Sequence, residues 1–480
     1  MVRTRFAPSP TGYMHIGNLR TALYAYLIAK KNNGKFLLRI EDTDQKRTVE
    51  DSVEVIYSSL SLAGIEYDEG PDKDGGYGPY IQSERRDIYK NHIEELISMG
   101  KAFRCFCTKE ELDIEREEFS KKFPDRPFRD KCRELSKDES ERNISQNKPY
   151  VVRQRIPETG TTTFSDIVFG SITVENNTLD EQVLMKADGL PTYNFANVID
   201  DHLMEISHVV RGYEYLSSAP KYNLLYESFG WNIPQYIHLP HIMREDGKKL
   251  SKREGDASFQ DLLDQGYLPS AIINYIAMLG WNPGTEEEYF TLEDLIQKFS
   301  PERINRSNAI FTRDKLTWLN NIHIRKMSFE EFQKKASEYY PKGMSSKYDI
   351  NKIGRLIHER LETFVQIKDK TDFFLTVPDY DISLYENKKM KSDPVAAKKM
   401  LEKIIPVFDT VTEWNNETVF SAMNELIQKE GCKSGTVLWP VRIALSGKLS
   451  TPGGASEIAD IIGKTETAAR LKAAVRKLGE

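Results

Sequence analysis

The chain has 480 residues, of which 39% are hydrophobic and 29% charged, with a formal net charge of −6. That length exceeds what one hydrophobic core supports and predicts three or four units, with the composition of an ordinary soluble globular protein. The start of the chain lacks the apolar core of a signal peptide, the longest apolar stretch (271–281) is far short of the roughly 20 residues a bilayer needs, and four cysteines argue against a disulfide framework. The predicted location is therefore the cytoplasm, with no membrane partner. The acidic balance gives no whole-chain sign of a nucleic-acid partner, although phosphate contacts need only a local basic face. Lys248, Lys249, Lys252 and Arg253, then Arg303, Arg306, Arg313 and Lys315, then Lys388, Lys389 and Lys391 could each form one. Each run reads equally well as solvated surface.

In chain order, residues 2–7 read as a buried strand and Pro8–Gly12 as a turn. From Asn18 an apolar stripe (Leu19, Ala22, Leu23, Tyr26, Leu27) predicts a helix, stopped by Asn32-Asn33-Gly34. Residues 36–40 are a second strand, giving a βαβ unit with a parallel sheet. Ligands bind such sheets beyond the carboxyl ends of the strands, so Arg5, Ala7 and Ser9 share a crevice with Glu41. Residues 103–185 change character and read as an insertion, with strands at 150–156 and 167–174. The sheet is predicted to resume near Leu184, with a further strand at 206–212 and a helix at 219–229. Residues 260–480 read as almost wholly helical.

Two short segments carry the chemistry. The first is Pro8-Ser9-Pro10-Thr11-Gly12-Tyr13-Met14-His15-Ile16-Gly17-Asn18, a strand-to-helix turn with a histidine where the helix begins; the second is Lys249-Leu250-Ser251-Lys252-Arg253, a basic loop after a Gly turn. Together and in this order they resemble the two signatures of class I aminoacyl-tRNA synthetases. The wording around the first, Arg5-Phe6-Ala7-Pro8-Ser9-Pro10-Thr11-Gly12 and Arg20-Thr21-Ala22-Leu23, is similar to the glutamyl branch of that class. The class pattern commonly has a second histidine where this chain has Asn18, a position at which the glutamyl branch is tolerant.

The resemblance implies a Rossmann-type catalytic domain in two halves (1–102 and 186–243). It also implies an inserted acceptor-binding domain (103–185), a stem-contact domain (244–327) and a helical anticodon-binding domain (328–480), in a chain expected to be a monomer. It implies glutamate–tRNA ligation from ATP with magnesium, L-glutamate and tRNA(Glu), through a glutamyl-adenylate. Adenylate formation brings two anions together, so the site needs fixed donors and positive charge around the α-phosphate. Gly12 and Gly17 let backbone approach the nucleotide, beside Asn18. His15 donates to the phosphates, Lys252 stabilises the transition state, and Lys249 and Ser251 support it. Glutamate carries two carboxylates and an ammonium. Arg5 is then expected on the side-chain carboxylate, Arg211 on the other acid group and Glu41 on the ammonium. Tyr193 and Asn197 match the family's amino-acid pocket. A salt bridge across strand ends is the plain alternative for Arg5 and Glu41.

Cys105 and Cys107, followed after 24 residues by Cys132, have the spacing of a structural zinc site. Some family members carry a Cys-x-Cys…Cys-x-His knuckle here. Glu134 stands at the last position, and three plain reduced thiols are the alternative. The segment Trp439–Gly447 resembles the anticodon domain of bacterial glutamyl enzymes, or serves helix packing. The rival readings are glutaminyl-tRNA synthetase, which usually ends in β-barrels, and a non-tRNA nucleotidyltransferase of the same superfamily, which has no use for the extra helices.

Overall fold

The computed structural model describes residues 1–44, 49, 51–124, 126–250 and 258–479. The chain divides into two compact units: residues 1–263 with 269–313, and residues 264–268 with 314–480. The strands are β1 (Arg3–Phe6), β2 (Lys35–Leu38), β3 (Ala102–Cys105), β4 (Val151–Gln154), β5 (Thr161–Asp166), β6 (Gly170–Glu175), β7 (Val183–Met185), β8 (His208–Gly212), β9 (Gln235–Leu239), β10 (Ile242–Met243) and β11 (Ala309–Ile310). The first seven helices are α1 (Ile16–Lys31), α2 (Ser52–Leu62), α3 (Arg86–Ser98), α4 (Lys109–Lys122), α5 (Lys137–Ser145), α6 (Tyr193–Leu203) and α7 (Ala219–Phe229).

In the first unit, β1 and β2 pair in parallel, Arg3 opposite Lys35 through Phe6 opposite Leu38, with α1 as the crossover. This is the predicted βαβ unit. Most of helix α1 is enclosed, with Leu19, Leu23, Tyr24, Leu27 and Ile28 all buried, while Gly17, Asn18 and Thr21 face the cleft. Tyr24 Oη and Arg20 Nη1 donate to the carbonyls of Ala277 (2.9 Å) and Leu279 (2.9 Å), which fixes the helix against 269–278. The backbone of Ser207 donates to Arg3 (2.9 Å), bringing β8 alongside β1, and β8 pairs in parallel with β9.

The inserted segment folds differently from its sequence expectation in two places. Residues 161–175 form a hairpin whose first strand the sequence reading missed. In β5, Thr162, Phe164 and Asp166 point inward while the residues between them are exposed, and Asp166 pairs with Tyr236, placing β5 beside β9. The expected strand at 167–174 is thus the turn and return strand of that hairpin. Strand β7 does not resume the parallel sheet; it pairs antiparallel with β4 in the order β3-β4-β7. Helices α4 and α5 on this segment each open with a capping box, Thr108/Glu111 and Ser136/Glu139.

In the second unit, helices Pro394–Thr410, Asn416–Glu430, Ser434–Ser446 and Ala455–Lys477 enclose a core that includes Leu401, Ile404, Val441, Leu445, Ile458 and Leu471. The last of these helices kinks at Gly463, whose φ of 81° suits glycine. Arg470 donates to the carbonyls of Phe373 (2.8 Å), Leu445 (2.7 Å) and Phe374 (2.7 Å), joining three segments at one buried cation. No helix among the described residues is long and apolar enough to cross a membrane.

Candidate functional site

The turn after β1 opens a cleft of about 510 Å³. Gly12 adopts φ 110°, a conformation that side chains rarely tolerate. His15 caps α1: its Nδ1 accepts the Gly17 amide at 3.0 Å. A Cβ on residue 17 would lie 3.1 Å from that nitrogen, so glycine keeps the cap intact. With Nδ1 accepting, the neutral ring carries its proton on Nε2.

Of the predicted nucleotide contacts, His15, Gly17, Asn18 and Lys249 line this cleft. So do Arg5, Ala7, Ser9, Glu41, Tyr193 and Arg211 from the predicted amino-acid pocket. Gly12 shapes the turn without lining the cleft. Asn197 is buried beneath it, its side-chain amide donating to the Tyr193 carbonyl at 2.6 Å. Ser251 and Lys252 lie outside the described residues. Of the residues described on either side, Leu250 lines the cleft and donates its amide to Ile242 (3.1 Å), while Ser258 is bridged to His15 and the Phe259 amide donates to Met14 (2.9 Å).

Under the cleft lies a buried charge network. Arg5 grips Asp201 with two nitrogens (2.9 and 3.2 Å) and donates a third hydrogen bond to the Val210 carbonyl (3.2 Å). Arg39 bridges Asp201 (2.8 Å) and Glu41 (3.0 Å). Asp200 accepts from Arg85 (2.7 Å), Tyr89 (2.8 Å) and Gln82 (2.9 Å). Burial alone would raise the Asp201 pKa, but the Arg5 and Arg39 guanidiniums outweigh it and hold the group below its ordinary value. Glu41 goes the other way: burial pushes it up to about 7 despite Arg39 and Arg5.

Arg211 is different. Its residue is 4% exposed, its Nη2 has no hydrogen-bond partner, and no carboxylate among the described residues forms an ion pair with it. Its guanidinium carbon lies 4.6 Å from the ring centre of Tyr222, 5.0 Å from Tyr236 and 5.8 Å from Tyr215. Its Nε donates to His238 Nε2 at 3.0 Å. Buried cations are ordinarily paired, so a buried guanidinium with no carboxylate partner on a cleft wall suits an anionic ligand.

A second cluster sits at the end of β3. Cys105, Cys107, Cys132 and Asp130 offer ligand atoms all within 4.8 Å of one another. Four ligands tetrahedral about zinc, with Zn–S near ~2.3 Å, lie about 3.8 Å apart, and Cys107 and Cys132 place their sulfurs 3.4 Å apart. The donor set fits a structural zinc ion. Glu134 is not part of it. The short helical turn 131–134 sends its side chain outward, 77% exposed and paired with Arg133 at 3.2 Å. Asp130, two residues before Cys132 rather than two after it, takes that place. Its Oδ1 accepts the Cys132 amide (2.8 Å) and its Oδ2 lies 3.1 Å from Arg153 Nε, a contact that orients a ligand. Protein purified without chelator is expected to carry about one zinc per chain. Cys107→Ser and Asp130→Ala should lower that content while Glu134→Ala should not; equal loss from Asp130→Ala and Glu134→Ala would contradict the assignment.

A parallel βαβ unit whose helix is capped by His15 at a cleft lined by Arg5, Arg211 and Lys249 has the arrangement of a nucleotide- and anion-binding site. The family description "tRNA synthetases class I (E and Q), catalytic domain" matches residues 1–318, and "Anticodon binding domain" matches 330–475. The chain is 55% identical over 477 residues to the glutamate–tRNA ligase of Clostridium tetani, covering 99% of this chain and 98% of that one. It is 53% identical over 481 residues to that of Clostridium acetobutylicum, covering 99% of each. A solved structure of a glutamate tRNA ligase from Elizabethkingia meningosepticum, in complex with its amino acid, superposes with a TM-score of 0.89 at 36% identity, covering 99% of each chain. The chain belongs to the class I aminoacyl-tRNA synthetases and, within that class, to the glutamate–tRNA ligases.

Proposed function

We propose that this protein joins L-glutamate to tRNA(Glu) at the cleft between the His15 turn and Arg211. A glutamate carboxylate oxygen attacks the α-phosphorus of ATP, the bond to pyrophosphate breaks, and glutamyl-adenylate forms. The tRNA terminal hydroxyl then takes the glutamyl group and AMP leaves. Magnesium, bound with ATP, neutralises phosphate charge. His15 Nε2–H and the α1 amides face the phosphates, with Asn18 and Lys249 beside them; Ser251 and Lys252, close after Lys249 in the chain, complete the set.

The observation that carries the reading is the buried cation of Arg211 with its unpartnered Nη2. Arg211 takes the side-chain carboxylate of glutamate. Arg5, already committed to Asp201 and the Val210 carbonyl, orients that carboxylate's surroundings and reads the α-carboxylate with its remaining N–H groups. Ala7, Ser9, Tyr193 and Asn197 shape the pocket, and Glu41 receives the ammonium. Glutamine would set an uncharged amide against Arg211, which disfavours the glutaminyl reading. We further read residues 1–102 and 186–243 as the catalytic domain, 103–185 as the acceptor-binding insertion with Cys105, Cys107, Asp130 and Cys132 holding zinc, 244–327 as the stem-contact domain and 328–480 as the anticodon domain, in a cytoplasmic monomer.

Amino-acid-dependent pyrophosphate release, with and without tRNA, tests the reaction class. Glutamate alone should support it; equal release with glutamine would overturn the pocket assignment. The Glu41 carboxyl adds a pH dependence. Below its folded pKa of about 7 it is protonated and cannot pair with an ammonium, so KM for glutamate should rise as pH falls through that range. Glu41→Gln should raise KM and flatten the profile. An unchanged slope in the variant would assign the titration to another group.

A further inference from the structure

Behind Arg211, β5, β8 and β9 each contribute one side chain to a buried row. Asp166 Oδ2 accepts from His238 Nδ1 at 2.7 Å and from the His238 amide at 3.0 Å. Its Oδ1 accepts the amides of Val168 (2.9 Å) and Phe169 (2.8 Å). Four donors converge on this carboxylate, which is 1% exposed, beside a histidine that is 0% exposed. An ionised carboxylate only accepts, so Nδ1 of His238 carries the proton. In the neutral ring Nε2 is then a lone pair, and Arg211 Nε–H points at it. Burial, with the Arg211 charge adding to it, holds the His238 pKa down to about 4, against the opposing pull of Asp166. The wrong tautomer, or a charged ring, would set N–H against N–H.

We infer that Asp166 and His238 are positioning residues for glutamate selection: they fix one edge of the Arg211 guanidinium so that its other edge meets the substrate carboxylate. The inference rests on the reading of Arg211 as the side-chain contact. Histidine suits this task better than a carboxylate would. A carboxylate at 238 would pair with Arg211 directly and cancel the charge that the substrate must meet. A neutral acceptor orients the cation without neutralising it. The rings of Tyr222, Tyr236 and Tyr215 around the guanidinium likewise hold it without neutralising it.

Two substitutions at one position separate positioning from packing. His238→Gln keeps an acceptor at the depth of Nε2, facing Arg211, and gives up the contact at Nδ1. His238→Asn keeps a donor at the depth of Nδ1, facing Asp166, and gives up the acceptor. If the relay positions Arg211, His238→Asn should raise KM for glutamate by about tenfold or more, the scale of one lost charge-assisted hydrogen bond. It should also narrow glutamate over glutamine discrimination, with KM for ATP unchanged. His238→Gln should stay much closer to wild type on both measures. If His238 merely ties β9 to β5, the order reverses: His238→Asn is tolerated and His238→Gln is impaired, with kcat and both KM values moving together. That order, or equal behaviour of the two variants, overturns the inference. Arg211→Ala measured alongside distinguishes the two failures. Should it leave discrimination intact, the reading of Arg211 itself falls. Should it collapse discrimination while His238→Asn does not, only the relay falls.

Discussion

Arg211→Ala is expected to lower kcat/KM for glutamate by roughly 10²- to 10⁴-fold, the range for breaking a desolvated charge pair by removing one partner. Glutamine cannot neutralise the guanidinium, so its kcat/KM should change far less, and the expected preference for glutamate should collapse. The contrast with Arg5 is informative because both arginines are buried at the ends of neighbouring strands. Arg5→Ala would strip Asp201 of one of its two cations and loosen the network that also holds Arg39 and Glu41. Its losses should fall on both amino acids by similar factors, with a drop in thermal stability. Measuring both substrates for both variants decides which cation reads the side chain. Parallel losses in Arg211→Ala would return that role to Arg5.

The second large effect is expected at Lys252. In the proposed mechanism its ammonium meets charge that develops only as the α-phosphorus is attacked. Lys252→Ala should therefore reduce the rate of adenylate formation by on the order of 10²-fold or more while ATP and glutamate bind nearly as before. Single-turnover pyrophosphate release at saturating substrates, set beside equilibrium ATP binding, checks this. A variant that binds ATP poorly yet reacts normally at saturation would make Lys252 a ground-state ligand.

What could be read from the sequence was local. The Pro8–Asn18 turn is a contiguous run, and its Gly12 and His15 have roles that follow from φ and from helix capping, both properties of neighbouring residues. The βαβ unit followed from a 3.6-residue period between two short apolar runs. The network beneath the cleft was not legible, because its pairs are set by packing: Arg5 and Asp201 are 196 positions apart, and Arg211 and His238 come together only when β8 and β9 pair. Asp200 and Asp201 lie in α6, a segment from which the sequence reading singled out only Tyr193 and Asn197. Two adjacent acids amid buried positions, with Arg39 in an apolar strand, were the available signal. The β5 hairpin was missed because threonine-rich alternation with an outward face resembles a loop in a polar insertion. Asp130 was not legible because the Cys-x-Cys…Cys-x-His pattern puts its last ligand after Cys132, while the chain turns so that the residue two before it faces the thiols.

The central claim is that one cleft builds and transfers a glutamyl group chosen by its charge. The most direct test offers the enzyme ATP, tRNA and an equimolar mixture of amino acids, and identifies by mass spectrometry the ester formed on the tRNA terminal adenosine. A glutamyl ester is expected as the dominant product, lost in the Lys252→Ala enzyme. A glutaminyl ester, or pyrophosphate release without any aminoacyl ester on tRNA, would contradict it.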